Sequence, residues 1–99
     1  MDRITQWKIQ EMKEQKFTSQ HGVCAGCHKE FRQGDITELA HCIPQRKWTI
    51  AKYGAEVIHH ELNMKLTHSG YCNSAVQLNV NATELIEAYV FRIKEAIDE

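Results

Sequence analysis

Long apolar runs are missing from this sequence, and so is the apolar core of a signal peptide near its N-terminus. Crossing a bilayer takes about 20 mostly apolar residues, and no stretch of the sequence approaches that length. We therefore expect a cytoplasmic protein with no membrane-spanning segment. Because persistent disulfides are rare in that compartment, the cysteines are more readily explained as metal ligands or buried thiols.

An excess of either charge is also missing, because 12 Lys and Arg face 13 Asp and Glu, for a net charge of −1. This balance counts against a strong, autonomous nucleic-acid binder, which usually carries a clear basic excess. The basic residues are nevertheless clustered after Pro44 and Asn63, where they comprise Arg46, Lys47, Lys52 and Lys65. Such a patch is compatible with contacts to nucleic-acid phosphates, although a solvated helix face has the same composition.

The length of the chain leaves little room for a large core. The 99 residues, of which 42% are hydrophobic, predict a single domain spanning 1–99. Domains of this size often depend on a staple such as a metal ion. The small core is therefore a reason, independent of any motif, to expect a bound metal.

Two pairs of soft ligands, far apart in the sequence, have the spacing of a structural zinc site. Cys24 and Cys27 are separated by two residues, which lets one tight turn present two thiolates to one ion. His68 and Cys72 are separated by three residues, which suits a turn followed by the start of a helix. Zinc takes four tetrahedral nitrogen and sulfur ligands. We therefore predict a zinc ion bound by Cys24, Cys27, His68 and Cys72.

Other interpretations of these residues stay open at this point. Cys24 could form a disulfide with Cys27 or Cys72, or the four cysteines could be unrelated buried residues. His28, one residue beyond the first pair, is a fallback fourth ligand. Cys42 lies in an apolar run and is better explained as a small buried hydrophobe.

The order of motifs between residues 22 and 78 resembles the HNH nucleases, a family with the ββα-metal fold. The sequence has the pair Cys24 and Cys27, then the run Ala40-His41-Cys-Ile-Pro44, then an asparagine, then a second zinc pair that ends in Cys72-Asn73. The resemblance implies a small zinc-stabilised ββα-metal core at about 22–78. It also implies DNA as the substrate and a bacterial or phage-infected cell as the setting.

The same resemblance implies a division of roles among three residues. The histidine at the end of the first strand, here His41, is the general base that activates water. The middle asparagine, here Asn63, fixes the loop and helps to orient that histidine. The residue directly after the last zinc cysteine, here Asn73, binds the catalytic divalent ion, Mg²⁺ or another.

One position departs from the family pattern. The residue before the general base is commonly Asp or His and binds the catalytic metal, whereas here it is Ala40, which cannot. The sequence offers substitutes, either Glu38 two residues earlier, Glu61 in the loop, or one of the adjacent histidines His59 and His60. Each of these would place the ion differently.

Periodicity and capping residues complete an α+β prediction in which terminal helices flank the core. Asp2 caps a helix at about 2–15 with Ile4 on its apolar side, and Asn81 caps a helix at about 82–97. Between them we predict strands at 36–42 and 64–66, a helix at 45–53 that ends at Gly54, and a short helix over 72–78. The apolar stripe of the last helix is expected to cover the first helix or a second copy of the chain, so the predicted partners include a homodimer or another protein.

Two functions are compatible with these residues. The leading hypothesis is a small HNH-like endonuclease that hydrolyses DNA phosphodiester bonds with a divalent metal. The alternative is a catalytically impaired, zinc-stabilised module that binds nucleic acid or protein, which Ala40 and the acidic balance of charge both favour.

Overall fold

A computed structural model describes the backbone of residues 3–98 and the side chains of residues 6–98, so the expectations for Asp2 and for the Ile4 side chain lie outside the described residues. The predicted α+β class is confirmed: within residues 3–98 the chain forms five helices and a two-stranded antiparallel sheet. The elements are α1 (Arg3–Ser19), β1 (Thr37–His41), α2 (Lys47–Tyr53), α3 (Ala55–Ile58), a 3₁₀ turn (Glu61–Asn63), β2 (Met64–His68), α4 (Tyr71–Ala75) and α5 (Thr83–Asp98). None of these helices has both the length and the apolar composition that a bilayer crossing requires.

The two strands pair so that a zinc-ligand candidate lies at one end of the sheet and the predicted general base at the other. Thr37 pairs with His68, and His41 pairs with Met64. Side chains alternate between the two faces along a strand. One face of the sheet therefore carries Thr37, Leu39 and His41 together with their partners His68, Leu66 and Met64. The short helix α4 follows β2 directly and contacts both strands, which gives the strand–strand–helix order predicted for the centre of the chain.

The hydrophobic core lies between α5 and the segment that joins the two strands. Ile86, Val90 and Ile93 of α5 pack against a set of buried residues before and within α3, namely Ile43, Val57 and Ile58. Full burial of an isoleucine side chain stabilises a fold by about 1.5–3 kcal/mol relative to exposure. The buried stripe of α5 therefore packs on α3 and the segment before it instead of on α1. The predicted homodimer or protein partner stays a prediction.

Several element boundaries differ from the prediction. Helix α1 continues to Ser19, four residues beyond the predicted end, and β2 continues to His68 instead of stopping at 66. Helix α2 begins at Lys47, two residues after the predicted start at 45. It ends before Gly54, as predicted, where a φ of 95° favours glycine. Helix α5 begins at Thr83, so the residue in the cap position is Ala82 and the predicted cap Asn81 lies one residue earlier.

A side-chain amide completes the free edge of β2. The Gln20 side chain donates from Nε2 to the Leu66 carbonyl and accepts from the Leu66 N–H through Oε1, both at 2.9 Å. Lys13 of α1 donates to the Thr37 carbonyl of β1 at 3.0 Å. These bonds attach α1 and the segment after it to the sheet.

The buried amide of Asn63 connects two segments that are distant in sequence. Its Oδ1 accepts from the Ile43 N–H at 2.7 Å, and its Nδ2 donates to the carbonyls of Ile43 at 3.2 Å and Ile58 at 2.8 Å. The Asn63 backbone carbonyl also accepts from the Cys42 N–H at 2.8 Å. Asn63 is fully buried, so these bonds form out of contact with water. Asn63 therefore connects the loop between the strands to the segment that follows β1.

We predict that Asn63→Ala destabilises the fold strongly, because it leaves buried backbone groups of Ile43 and Ile58 without partners. Each such group costs about 1–3 kcal/mol, and we expect a loss of roughly 3 kcal/mol in the free energy of unfolding. Urea denaturation measures this directly. Asn73→Ala, at a half-buried asparagine of α4, is the matched control. Equal midpoints for the two variants would contradict the prediction.

Candidate metal centre and the histidine groove

The four predicted zinc ligands lie together. One ligand atom from each of Cys24, Cys27, His68 and Cys72 falls within 4.8 Å of the others. The first pair comes from the turn after α1, the histidine from the end of β2, and the last cysteine from the first turn of α4. Three sulfur atoms and one imidazole nitrogen are the donor set of structural zinc sites. The cluster could therefore hold a structural zinc ion.

The turn that carries the first two cysteines is closed by backbone hydrogen bonds. Val23 and Glu30 form an isolated bridge, and the Cys24 N–H donates to the Lys29 carbonyl at 2.9 Å. Within the turn, the Cys24 sulfur accepts from the N–H groups of Gly26 at 3.3 Å and Cys27 at 3.5 Å. The turn that contains the two-residue spacing therefore folds back, and both thiols face the same point.

The protein surroundings favour a thiolate at Cys24. Burial opposes its ionisation, but hydrogen bonds from the N–H groups of Cys27, His68 and Gly26 outweigh that effect and lower the pKa of Cys24 to about 6. At Cys72, loss of solvent and the neighbouring sulfur atoms of Cys24 and Cys27 raise the pKa to about 11. Crowded sulfur atoms of this kind repel as anions, and a dication would relieve the repulsion.

Gly26 allows the first turn to approach α4. A Cβ atom at this position would lie 2.5 Å from the Cys72 carbonyl oxygen and 2.8 Å from the Cys72 Cα, distances that real Cβ atoms do not adopt. The absence of a side chain at residue 26 therefore brings Cys72 into the cluster. The Cys-Ala-Gly-Cys sequence contains this requirement, but spacing alone does not reveal it.

Asp35 contacts the cluster, although the cysteine and histidine spacing did not indicate it. Its Oδ2 lies 2.8 Å from His68 Nε2 and accepts from the Arg32 N–H at 2.8 Å. The hydrogen bond to Asp35, followed by hydrogen bonding to Cys24, raises the pKa of His68 to about 9. With a hydrogen on Nε2, the other ring nitrogen, Nδ1, faces Cys27 Sγ at 3.5 Å and is the atom able to bind a metal.

The structure resolves the alternatives for the cysteines and for His28. All four cysteines are free thiols, so neither disulfide is formed. His28 is exposed and is not one of the four clustered residues. Cys42 is 1% exposed and lies outside the cluster, as expected of a small buried hydrophobe. Burial raises the pKa of the Cys42 thiol.

The predicted general base lies at the opposite end of the sheet, in a groove that follows β1 from Thr37 to His41. The groove has a volume of about 450 Å³, and residues of α1, β1, the loop and β2 line it: Ile9, Met12, Lys13, Thr37, Glu38, Leu39, His41, Gln45, His59 and Met64. His41 Nε2 is buried, and no hydrogen-bond partner for it exists among the described residues. Burial, followed by the proximity of His59, lowers the pKa of His41, which keeps the imidazole neutral near pH 7.

The other residues predicted to bind the catalytic ion are dispersed. Glu38 lines the groove, and its Oε1 accepts from the Gly70 N–H at 3.0 Å. The His60 Nδ1 accepts from the Leu62 N–H at 3.1 Å, so His60 caps the 3₁₀ turn that contains the exposed Glu61. Asn73 is half-buried on α4 and is not among the residues that line the groove. Within the described side chains, the cysteine–histidine cluster is the one group of three or more His, Cys, Asp or Glu able to share an ion.

The basic residues predicted to contact nucleic acid fall into two places. Arg46 caps α2, and Lys47 and Lys52 lie on the same exposed helix. Lys65 lies on β2 and lines a separate small cavity with Tyr89 and Arg92 of α5. The structure therefore does not join all four into one patch, and it gives Lys65 a basic neighbour that the sequence did not indicate.

No protein-family model, curated protein or solved structure matches this chain. The resemblance to HNH nucleases therefore rests on the order of motifs in the sequence.

We predict that Cys24→Ser abolishes zinc binding and unfolds the protein, whereas Cys42→Ala retains both zinc and structure. A structural zinc site contributes about 10–16 kcal/mol of apparent binding free energy. That exceeds the roughly 5–15 kcal/mol by which most folded domains are stable. Elemental analysis and far-ultraviolet circular dichroism on both variants test this. A folded, zinc-free Cys24→Ser with an unchanged melting temperature would contradict the predicted zinc site.

We also predict that Asp35→Ala weakens zinc binding by about 10–100-fold, because His68 loses the partner that fixes its ring orientation. Competition with a chromophoric chelator measures the affinity. Glu30→Ala, which removes an exposed carboxylate from the same region, is the matched control. Equal zinc affinities for Asp35→Ala and Glu30→Ala would show that the Asp35–His68 contact has no influence on the metal.

Proposed function

We propose that this protein is a small HNH-like endonuclease that hydrolyses DNA phosphodiester bonds with the help of a divalent metal. The observation that carries the proposal is the position of His41. It ends the first strand of a strand–strand–helix unit, lines an open groove, and has a buried Nε2 without a hydrogen-bond partner among the described residues. Asn63 fixes the backbone two residues beyond it.

The chemistry assigned to His41 is the removal of a proton from water. In its neutral form the ring accepts that proton, the water oxygen forms a bond to phosphorus, and the bond from phosphorus to the leaving oxygen breaks. A base whose pKa lies near or below neutrality is unprotonated at working pH, which the burial of His41 favours. A divalent ion supplies Lewis-acid stabilisation of the charge that develops on the phosphate.

The cysteine–histidine cluster takes a structural part in this proposal. It joins the first turn, the end of β2 and the start of α4, and so fixes the strand–strand–helix unit. The exposed basic residues of α2, with Lys65, are assigned to phosphate contacts along the DNA. Contacts of this kind position a duplex without reading its sequence, so any sequence preference requires a further element or a partner.

A second candidate function is supported by Ala40. This residue is fully buried, and its methyl group cannot bind the ion that the family binds at this position. A zinc-stabilised module that binds nucleic acid or protein without cleaving it would tolerate alanine here. Exposed apolar side chains of α5, with Leu85 at 57% and Phe91 at 64% exposure, would serve such a module or a homodimer as a contact surface.

We predict metal-dependent nicking of supercoiled plasmid by the zinc-loaded protein in Mg²⁺, Mn²⁺ or Ni²⁺. Removal of a general base typically costs about 10²–10⁴-fold in rate, and we expect a loss of that size in His41→Ala. EDTA should abolish nicking. His21→Asn, at an exposed histidine with a φ of 56° that asparagine tolerates, should nick like the unmodified protein.

The zinc content and melting temperature of each variant are read on the same samples. One equivalent of zinc with no nicking in any of the three metals would reject the endonuclease and favour the binding module. Nicking that persists in folded His41→Ala would reject His41 as the general base.

A further inference from the structure

The two outer edges of the sheet differ in what they bond to. The N–H and C=O of Leu66 point away from β1, because both bond to the Gln20 side chain. In an antiparallel pair, residues directly opposite each other either bond to one another or both turn their backbone groups outward. Leu39 is opposite Leu66, so its N–H and C=O point away from β2. The same alternation turns the backbone groups of Thr37 and His41 outward.

The outward groups of β1 are mostly without a partner. The Thr37 carbonyl accepts from Lys13 Nζ at 3.0 Å and keeps a second lone pair. Within the part of the chain that the structure describes, no other group bonds to the N–H or C=O of Leu39 or of His41. An unpaired strand edge of this kind is a template for another strand. At β1 the position that Gln20 fills beside β2 is therefore open.

The groove that contains His41 surrounds this edge. Thr37, Leu39 and His41 share one face of the sheet and Glu38 belongs to the other, yet all four line the groove. A groove confined to one face would be lined by alternate residues only. Its volume of about 450 Å³ therefore lies beside the open edge, where the backbone of an added strand would run.

Helix α1 crosses the sheet and continues past the same edge. Gln20, which follows the helix, bonds to β2, whereas Lys13, seven residues earlier, bonds to β1. Seven helical residues span about 10 Å, and neighbouring strands are about 4.8 Å apart, so the helix passes from β2 to β1 over this length. The preceding turn continues in that direction and places Ile9 and Met12 along the groove. Trp7, still further along, is 67% exposed.

The β1 strand is complementary to itself. When two copies run antiparallel with Leu39 opposite Leu39, Thr37 of each copy lies opposite His41 of the other. All three of these residues turn their backbone groups outward, so each N–H meets a C=O. On the opposite face, Glu38 lies beside Ala40 of the other copy, and the pairing therefore brings no like charges together.

We propose that two copies of this chain associate through their β1 edges and form one four-stranded sheet in the order β2-β1-β1-β2. A two-fold axis beside Leu39 relates the copies, so the same surface serves both of them. The first turns of each α1 then lie over the sheet of the other copy, where Trp7 and Ile9 gain a surface to cover. This surface is separate from the exposed apolar side chains of α5, and the association does not depend on the proposed function.

The test is the oligomeric state of the zinc-loaded protein, measured by sedimentation velocity over a range of concentrations. We expect a reversible dimer, and a dissociation constant at least tenfold higher in Leu39→Pro. Proline removes the outward N–H of residue 39, which makes no bond to β2, and proline is accepted at such edge positions. Leu39→Val keeps this N–H and is the matched control, with an unchanged dissociation constant. Zinc content and melting temperature show that each variant is folded.

A second measurement needs no variant. Amide hydrogen exchange, followed by NMR, should show the N–H groups of Leu39 and His41 protected in the dimer and exposed on dilution to the monomer. The N–H groups of Glu38 and Ala40 point toward β2, so they should be protected at both concentrations.

Three results would overturn the proposal. They are a monomer at every concentration, a dimer that folded Leu39→Pro leaves intact, and a dimer that Phe91→Ser on α5 disrupts while the Leu39 amide stays unprotected. Because association is measured without DNA, its failure is distinguishable from failure of the endonuclease. A β1-paired dimer without nicking would reject the nuclease alone, and nicking by a strictly monomeric protein would reject the dimer alone.

Discussion

The buried side-chain amide of Asn63 is the constraint on which the arrangement of this protein depends. The segment between the two strands is long, contains short helices, and would otherwise have few reasons to adopt one path. Asn63 satisfies a donor and an acceptor just after β1 and a second acceptor at the end of α3. In a buried setting these groups have no water to replace a lost partner, so the loop has one low-energy path. Both histidines of the groove lie on backbone that this amide fixes.

The antiparallel pairing separates the cysteine–histidine cluster from His41. His68 and the clustered cysteines lie at one end of the sheet and His41 lies at the other, whereas the groove follows β1 from Thr37 to His41. Five residues of antiparallel strand span four steps, so the two ends are about 14 Å apart at roughly 3.4 Å per residue. Substitutions at His41 can therefore be separated from effects on the four clustered residues. The apolar core lies on a third side, between α5 and α3, and completes the support of the groove from the loop.

Much of the metal centre could be predicted because its chemistry is local. Cysteine and histidine spacing indicates which side chains a tight turn can present together, and it predicted the four residues that the structure brings into one cluster. Asp35 could not be identified so, because its contact with His68 spans 33 residues and depends on the path of the turn after the first cysteine pair. Gly26 shows the same limit. A side chain at this position would collide with Cys72 of α4, a helix that begins more than forty residues later in the sequence. The stripe on α5 predicted a buried face correctly, but periodicity does not say which surface will cover it.

The groove shows where sequence reasoning stops for a different reason. His59 and His60 are adjacent, have the same chemistry, and cannot be ranked from the sequence. The ring of His59 contacts His41, whereas the ring of His60, one residue later, accepts from the Leu62 N–H. Which histidine faces the groove is decided by where α3 ends, and that depends on Val57 and Ile58 entering the core.

Gln20 has a consequence for how copies of this chain meet. The outer edge of a strand exposes N–H and carbonyl groups in a row, and such an edge is a template on which another polypeptide can add as a strand. At the centre of β2 both groups of Leu66 are already bonded to a glutamine side chain, and the Ala25 N–H also donates to that carbonyl at 3.1 Å. The Gln20 side chain therefore occupies the position at Leu66 where a third strand would pair with β2. Addition of a further strand at this edge would have to displace the Gln20 side chain from Leu66.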